Sequence, residues 1–321
     1  ESVEKGKIRG RYTIIGFNPD KIFNIKKNVI IEDDLKKKKV IKKNILKYLN
    51  SLFKNFKVKS SKELPRMSSM LVGYFSYDII RLIENIPNKC KDDLNIPDIR
   101  LMRPKNLIIY DNIKRKIFYI ENVYNDQKIY DYQSEYEKIK TTLKELHHYG
   151  NIPLPENFHI NNKKINIKSN ISKSKFKNIV RKAKTYIKKG DIFQVVLSQR
   201  FSADIKKPPL EIYNTLRKSN PSPFMFYFNY DDFQVLGSSP EILVRLVKGE
   251  VTIRPIAGTR PRGKNSKEDK KLTDELLNDP KELSEHLMLL DLGRNDVGKV
   301  SKVNSVKVTE KFKVEKYSHV M

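Results

Sequence analysis

The chain has 321 residues and one cysteine, Cys90, so it can form one large or two medium-sized domains without an internal disulfide framework, and a reducing, cytoplasmic compartment is expected. We expect neither a transmembrane helix nor a signal peptide, because no apolar run is long enough. The formal net charge of +27 is spread evenly, with 32 basic and 19 acidic residues in positions 1–150 and 33 and 19 in positions 151–321, which weighs against a basic nucleic-acid-binding protein.

Strand-like and helix-like patterns alternate in the first part of the chain. Residues 7–32 are predicted to form short strands with turns at Asn18-Pro19 and Lys27-Asn28. Apolar side chains recur at helical spacing in residues 34–54, which predicts a helix. The basic run Lys36–Lys39 is interpreted as the solvated face of that helix.

Three further elements are predicted in the first half: a strand running into a helix at Met70–Glu84, a hairpin at 106–124 and a helix at 132–146. Gly73 lies where two backbones can approach closely. Residues 147–173 contain two prolines, many Asn and Lys residues and little periodicity. They are therefore predicted to link a region of residues 1–146 to a region of residues 174–321.

The second half is predicted to contain an antiparallel sheet. A helix at 174–189 ends before Gly190, a typical helix stop. Five strand-like stretches follow: Ile192–Phe201, Phe224–Phe228, Phe233–Gly237, Glu241–Val247 and Val251–Ile256. Hairpin-length gaps at 230–232 and 248–250 favour a meander over alternating βαβ units. The last long helix is predicted to begin near Pro280.

Two glutamates lie in the first turns of that last helix. Asp279 can cap the helix, and Glu282, three residues later, can complete a capping box, which by itself would explain Glu282. Glu285 lies nearly one turn further along, beside a stripe of leucines, and is expected to be partly buried. Two carboxylates one turn apart can bind a hard cation such as Mg²⁺, which is an alternative to a purely structural role.

The stretch PIAGTRPRG, Pro255–Gly263, is either a tight turn or a cradle for an anion. Glycine lets a backbone approach a ligand closely, and the N–H groups of Gly258 and Thr259 can form an anion nest beside Arg260 and Arg262. The spacing is neither that of a P-loop nor that of a dinucleotide fingerprint. A carboxylate-sized anion is therefore favoured over a triphosphate.

Three other polar residues admit both a structural and a chemical role. Glu241 begins a predicted strand, where it is either an exposed strand-end residue or a general acid. Gln194 alternates with apolar residues, as a hydrogen-bonded core glutamine does. His286 is predicted to lie on the surface or at the cap of a helix.

Seven stretches together resemble anthranilate synthase component I, a branch of the chorismate-utilising enzymes. They follow the order found in that family: ESVEKGKIRGRYTIIGFNP, GDIFQVVLSQRF, NPSPFMFYF, GSSPEILVR, RPIAGTRPRG, KELSEHLMLLDLGRNDVGKV and YSHVM. The resemblance implies an α+β fold in which two packed antiparallel β-sheets are flanked by helices. Residues 1–146 would be the regulatory part, and residues 174–321 would be the chorismate-binding catalytic part.

The resemblance also implies a reaction. Chorismate and ammonia would be converted to anthranilate and pyruvate with Mg²⁺, the first step of tryptophan biosynthesis. Ammonia would come from glutamine through a partner glutamine amidotransferase subunit, component II, in a hetero-oligomer. Tryptophan would inhibit by feedback, and neither nucleic acid nor a membrane is an expected partner.

Individual residues acquire roles through the same resemblance. Gly258 and Thr259 would bind a substrate carboxylate. Glu285 would be a Mg²⁺ ligand, with Glu282 beside it in the catalytic metal or acid–base network. Glu241 would be the general acid that helps the ring hydroxyl to leave. The tryptophan site would be lined by Ser2, Pro223, Phe224 and Met225.

Two positions distinguish between the reactions that members of the family catalyse. Relatives that add water carry a lysine at the position of Gln194, and relatives that make aminodeoxychorismate commonly carry one at Ala257. Aminodeoxychorismate synthase component I and isochorismate synthase therefore remain disfavoured alternatives. The family also continues beyond Met321, where a catalytic histidine and further Mg²⁺-ligating glutamates are expected, so the chain alone is expected to be inactive.

Overall fold

The computed structural model describes residues 1–2, 10–56, 58–59, 61–124, 131–149 and 165–321. The chain divides into two compact units, one formed by Glu1–His148 with Tyr213–Met321 and the other by Tyr149–Ile212. Most of the linker predicted at 147–173 lies outside the described residues, so the boundaries at 146 and 174 stay predictions. Among the described helices, none has the length and apolar character that crossing a bilayer requires.

An antiparallel sheet dominates the first unit. Within the described ranges it has six strands, paired in the order β3-β2-β1-β5-β4 with β6 added to β5. These strands are β1 (Tyr12–Lys26), β2 (Val29–Asp33), β3 (Lys38–Ile41), β4 (Val72–Phe75), β5 (Ile99–Asp111) and β6 (Lys116–Glu121). The ladder between β1 and β5 shifts between Pro19 and Lys21, where proline has no N–H to donate. The turn predicted at Asn18-Pro19 is thus an irregularity within one long strand, whereas the turn at Lys27-Asn28 is confirmed.

The main core of this unit lies between the sheet and helix α1 (Ile45–Asn55). The helix begins where the side chain of Asn44 accepts the N–H of Lys47 at 3.1 Å. Its buried face packs on side chains that alternate along the central strands, as a half-buried sheet requires. The buried members of this core are Phe23, Ile25, Ile30, Ile45, Tyr48, Leu49, Ile99 and Leu101.

The helix predicted at 34–54 is wrong in its first half, because α1 begins only at Ile45. Residues Lys38–Ile41 form strand β3, and its first two lysines lie opposite two acidic residues of β2. Opposite charges directly across a strand pair stabilise the pairing. The basic run Lys36–Lys39 therefore reaches from a bend into an edge strand and is not a helix face.

The other predictions for the first half agree with the structure. β4 leads into a 3₁₀ helix at Tyr77–Leu82, β5 and β6 form the hairpin, and helix α2 covers Tyr132–Tyr149. Two backbones do approach closely at Gly73, because a Cβ there would lie 1.9 Å from the carbonyl oxygen of Arg100. Any larger residue would force β4 away from β5.

The second unit contains helix α3 (Lys173–Lys189) and a short antiparallel pair. Gly190 ends the helix in a left-handed conformation, as predicted. The pair joins β7 (Ile167–Ser169) to β8 (Phe201–Ala203). The strand predicted at Ile192–Phe201 is wrong except for its last residue. Within the described residues no ladder pairs with 192–200, and Val196 is 88% exposed.

The remaining elements complete an α+β fold with antiparallel sheets and helices, as expected. Two hairpins are present, β9–β10 and β11–β12, and the strands predicted at 241–247 and 251–256 are shorter than expected. Helices α4 and α5 were not predicted. The bounds are α4 (Pro209–Ser219), β9 (Phe224–Asn229), β10 (Gln234–Ser239), β11 (Arg245–Val247), β12 (Glu250–Thr252), α5 (Ser266–Asn278) and α6 (Pro280–Gly298).

Candidate active site

A cavity of about 840 Å³ lies within the first unit. It is lined mainly by residues 248–258, by helix α6 and by the segment 301–321. Along α6 the lining side chains Glu282, His286 and Leu290 recur every four residues, so they share one face of the helix. That face brings an acidic and an imidazole side chain to the border of the cavity.

Gly258 and Glu282 lie against each other at this border. Gly258 has a φ of 73°, in the left-handed region that favours glycine. A Cβ added to it would lie 3.1 Å from Oε2 of Glu282. The following residue, Thr259, is exposed. Three of the residues assigned to substrate binding and catalysis are therefore adjacent in space.

Protein carboxylates surround the guanidinium of Arg260. Its Nε lies 3.0 Å from Glu275, its Nη2 lies 2.8 Å from Asp279, and its Nη1 lies 3.4 Å from Oε1 of Glu282. The hydrogen bond that Arg260 donates to Glu275, with those that it donates to the other two carboxylates, raises the pKa of Arg260. Arg260 therefore ties the PIAGTRPRG stretch to the end of α5 and the start of α6.

Arg262 serves a similar structural purpose on the other side of the stretch. Its Nε lies 3.2 Å from both carboxylate oxygens of Asp269, and its Nη2 lies 2.7 Å from Oδ2. The N–H of Gly263 donates to the same carboxylate at 2.6 Å. Arg262, followed by this N–H, holds the pKa of Asp269 well below its usual range. The turn and the first turn of α5 are thus locked together.

The end of the chain returns to the same stretch. The N–H of Arg260 donates to the carbonyl oxygen of Met321 at 2.9 Å, and the N–H of Met321 donates back at 2.8 Å. Pro261 and Val320 form an antiparallel bridge beside this pair. His319 has a backbone role here, since its carbonyl oxygen accepts the N–H of Arg262 at 3.2 Å.

Glu241 lies in the loop after β10 and not at the start of a strand, because β11 begins only at Arg245. The hydroxyl of Ser239 accepts the N–H of Glu241 at 3.3 Å and bends the chain there. Oε1 of Glu241 accepts the N–H of Ile256 at 3.0 Å. This bond fixes the carboxyl group beside the backbone that leads to Ala257 and Gly258.

Glu285 is half-buried on α6 but does not line the cavity. Its partial burial was predicted, but of the two neighbouring glutamates only Glu282 lines the cavity. Across the described residues, no group of three or more His, Cys, Asp or Glu side chains is arranged to hold a metal ion. The structure thus offers at most two neighbouring carboxylates on this helix for a metal.

His286 is neither a surface nor a capping residue. Its Nε2 lies 3.4 Å from the N–H of Phe312, and the two rings are 5.3 Å apart. The imidazole therefore joins α6 to the segment that closes one wall of the cavity. Its spacing of four residues from Glu282 was the signal in the sequence that both side chains share a helix face.

The residues assigned to tryptophan binding also come together. The N–H of Met225 donates to the carbonyl oxygen of Glu1 at 2.8 Å, so Ser2 follows directly beside the start of β9. Oγ of Ser2 accepts the N–H of Gly10 at 2.8 Å. Pro223 and Met225 are buried, whereas Phe224 is exposed.

Two residues of α4, neither of them predicted from the sequence as functional, hold Glu1 beside the start of β9. The hydroxyl of Tyr213 and Nε of Arg217 both donate to Oε1 of Glu1, at 2.9 Å and 2.6 Å. Burial, followed by the bond to Glu1, raises the pKa of Tyr213. The sequence could have indicated these two residues only through an amphipathic helix at 209–219, and that helix was not predicted.

Comparison with known proteins agrees with this arrangement of motifs. The sequence model described as "chorismate binding enzyme" matches residues 4–321. Over the whole chain, identity is 43% to a Cereibacter sphaeroides protein and 43% to an Acetivibrio thermocellus protein, both named anthranilate synthase component 1. The crystal structure of anthranilate synthase component I from Streptococcus pneumoniae TIGR4 superposes with a TM-score of 0.81 and 32% identity, covering 99% of this chain and 70% of that one.

The chain is shorter than these proteins, and spans 65% of the Cereibacter sphaeroides relative and 66% of the Acetivibrio thermocellus relative. The family match nevertheless extends over both units, from before β1 to the last residue. It includes the cavity, the PIAGTRPRG stretch and the residues around Met225. The chain belongs to the chorismate binding enzyme family.

Proposed function

We propose that this chain is the larger part of an anthranilate synthase large subunit, which converts chorismate and ammonia to anthranilate and pyruvate. The observation that carries the proposal is the 43% identity, over the whole chain, to proteins named anthranilate synthase component 1. The cavity beside Gly258 and Glu282 supports it, because it lies where the sequence motifs place substrate.

In the proposed reaction, the backbone around Gly258 and Thr259 binds one carboxylate of chorismate. The left-handed φ of Gly258 supports this role, since it lets the backbone lie close to a ligand. Glu241, fixed beside Ile256, donates the proton that the departing ring hydroxyl requires. Arg260 and Arg262 are already paired with carboxylates, so they shape the stretch and do not hold substrate.

Mg²⁺ is part of the proposal, with Glu285 as a ligand and Glu282 beside it. Mg²⁺ commonly takes one or two protein carboxylates and completes its octahedral shell with water and substrate oxygens. Two glutamates three residues apart on α6 supply that number of carboxylates, and one of them, Glu282, lines the cavity. When bound, the ion would neutralise a chorismate carboxylate and act as a Lewis acid.

The alternatives within the family are aminodeoxychorismate synthase component I and isochorismate synthase. Ala257 supports anthranilate synthase over the first, because alanine has no amine that could attack the ring. Gln194 supports it over the second, because glutamine cannot activate water as a lysine can. Product identity separates the three.

The full-length protein would work in a hetero-oligomer with a glutamine amidotransferase subunit, component II, and would be inhibited by tryptophan. A cytoplasmic location is part of the same proposal. Ser2 beside the start of β9 supports the tryptophan site, because the N–H of Met225 donates to the carbonyl oxygen of Glu1, the residue before Ser2.

The test uses the full-length protein with chorismate, Mg²⁺ and ammonium at alkaline pH. Anthranilate should appear by its fluorescence. Accumulation of aminodeoxychorismate or isochorismate instead would show that the assignment is wrong.

Glu285→Gln should lower Mg²⁺-dependent turnover by about a hundredfold or more, because it removes one charge from a two-carboxylate site. Asp291→Asn is the matched control on the same helix, since Asp291 is exposed and pairs only locally with Arg294 in the described residues. Equal activity of the Glu285→Gln variant and the control would show that Glu285 is not a metal ligand.

A further inference from the structure

The turn of the β9–β10 hairpin, residues 230–233, rests on the six-stranded sheet through Arg100. Nη1 of Arg100 lies 2.5 Å from Oδ1 of Asp232, and Nη2 lies 3.2 Å from Oδ2. Its Nε donates to Oδ1 of Asn24, the residue opposite it on β1, at 2.6 Å. The Nε bond thus holds the guanidinium on the sheet, and the two Nη groups join it to the hairpin turn.

Aromatic rings cover the guanidinium of this ion pair. The guanidinium lies over the rings of Tyr230 and Phe233, at 5.3 Å and 4.8 Å from their centroids. Tyr74 of β4 meets both rings edge-on at 5.8 Å and 6.2 Å. Arg100 is 13% exposed and Tyr230 is 6% exposed, so the contact is a packed one. We call Arg100, Asp232, Tyr74, Tyr230 and Phe233 the Arg100 cluster.

The other end of the same hairpin carries the proposed tryptophan residues. There Met225 pairs with Glu1 through its backbone. Tyr230 is five residue steps from Met225 along the extended strand, a distance of roughly 17 Å. The hairpin is thus held at both ends, by the Glu1 pairing at one and by the Arg100 cluster at the other.

The strand between the two ends is poorly suited to bend or slip. A Cβ added to Gly237 of β10 would lie 2.5 Å from the ring of Phe226, so the ring lies directly on the facing strand. These two residues are register partners. A two-stranded ribbon is only marginally stable by itself, so its position depends on its anchors.

We propose that Arg100 is a positioning residue for tryptophan inhibition: by anchoring the hairpin turn to the sheet, it fixes where Phe224 and Met225 lie relative to Ser2. This inference rests on the proposed function, which places tryptophan at those residues. Arg100 has no part in the chemistry, because its contacts are with Asn24 and the hairpin turn. Lysine cannot replace it fully, because it lacks the planar fork that binds a carboxylate through two bonds and stacks on rings.

The first measurement is amide hydrogen exchange of residues 224–229 in the full-length protein. Arg100→Ala should speed exchange there by about tenfold, since losing an anchor favours local opening. Arg115→Ala is the matched control, because Arg115 is an exposed arginine in the turn after β5 and its removal changes the net charge equally. Exchange at the control rate in Arg100→Ala would overturn the anchoring.

The second measurement is the tryptophan concentration that half-inhibits the full-length enzyme. This concentration should rise about five- to tenfold in Arg100→Ala and in Asp232→Asn, and by less in Arg100→Lys. The double variant Arg100→Ala/Asp232→Asn should show no further rise, because both single changes break the same ion pair. The kcat and the KM for chorismate should stay within about twofold of wild type. Asp232→Asn guards against misfolding, because Asp232 is 60% exposed.

The two measurements separate the ways in which the inference can fail. Faster exchange with unchanged inhibition would mean that the anchor is structural only, and would overturn the positioning role. A fall in kcat as large, in fold-change, as the rise in the half-inhibiting tryptophan concentration would also overturn the positioning role, because the variant would then be damaged in general. If wild-type enzyme makes anthranilate but is insensitive to tryptophan, the regulatory part of the proposed function fails and the positioning role fails with it, whereas the exchange result on the anchor stands.

Discussion

Gly258 has a left-handed backbone, and Oε2 of Glu282 lies 3.1 Å from the position that a Cβ would take. Leu276 of α5 lies equally close, 3.0 Å from the position of a Cβ. A side chain at position 258 would therefore adopt an unfavourable φ and would also displace side chains of α5 and α6 by a few tenths of an ångström. The sequence indicated close approach of a ligand, but the contact with Glu282 depends on α5 and α6 folding back onto the stretch.

Gly258→Ala should lower the free energy of unfolding by about 1–2 kcal/mol, the usual cost of the left-handed conformation for an L-residue. It should also lower kcat/KM of the full-length enzyme by roughly ten- to a hundredfold, because displacing Glu282 by a fraction of an ångström misplaces a catalytic group. Urea unfolding and the anthranilate assay measure the two effects.

Gly190→Ala is the matched control for this prediction. Gly190 has a φ of 78° at the end of α3, outside the lining of the cavity, and a Cβ there meets nothing within 4 Å. It should show a similar loss of stability with near-normal activity. An equal loss of activity in both variants would mean that strain alone, and not the contact with Glu282, explains the result.

The two arginines of the stretch show what residue-level inference from sequence misses. Their charge predicted an electrostatic role toward an anion, whereas Arg260 binds Glu275, Asp279 and Glu282, and Arg262 binds Asp269. Two of those four carboxylates lie on α5, which was not predicted. Because α5 was not predicted, the two arginines could be identified from the sequence but two of their carboxylate partners could not.

At the level of elements, local signals were predicted well and long-range pairing was not. The start of α6 at Pro280 and the end of α3 at Gly190 follow from capping residues that act within one turn. The stretch 192–200 has a strand's alternation, but a strand also requires a neighbour, and none of the described residues pairs with it. Residues 38–41 show the opposite error: their pattern predicted a helix, but they form a strand because β2 pairs with them.

Asp279 allows the cap of α6 to be separated from its ion pair. Its side chain accepts the N–H of Lys281 at 3.0 Å and that of Glu282 at 3.4 Å, and it also binds Arg260. Asp279→Ala should lower the melting temperature by about 2–4 °C, because both interactions are lost. Asp279→Asn keeps a capping oxygen and should lose less.

Thermal unfolding followed by circular dichroism measures the difference between the two variants. Asn44→Ala, which removes the cap of α1 without touching an ion pair, is the control for a cap alone. If Asp279→Asn is as unstable as Asp279→Ala, the ion pair with Arg260 dominates and the cap contributes little.

For the whole molecule, the class and the antiparallel pairing were predictable, but contacts between distant parts were not. The motifs fixed the α+β class and the order of the later hairpins, because each hairpin is a local unit. Arg100 and Asp232 are 132 residues apart, and neither has a periodicity or a motif that points to the other. Such a pair is determined only when the sheet and the hairpin have both formed.

The net charge of +27 is the whole-molecule property with the least connection to the proposed chemistry. Nucleic-acid binders concentrate lysine and arginine on one surface, which releases counterions and makes binding steeply salt-dependent. Here both halves of the chain carry nearly the same excess, and many described arginines pair with carboxylates. We therefore expect only weak, diffuse attraction to polyanions. Titrating a labelled 20-base-pair duplex at 150 mM salt should give no saturation below about 10 μM protein, whereas submicromolar binding with a steep salt dependence would show that a concentrated basic surface exists after all.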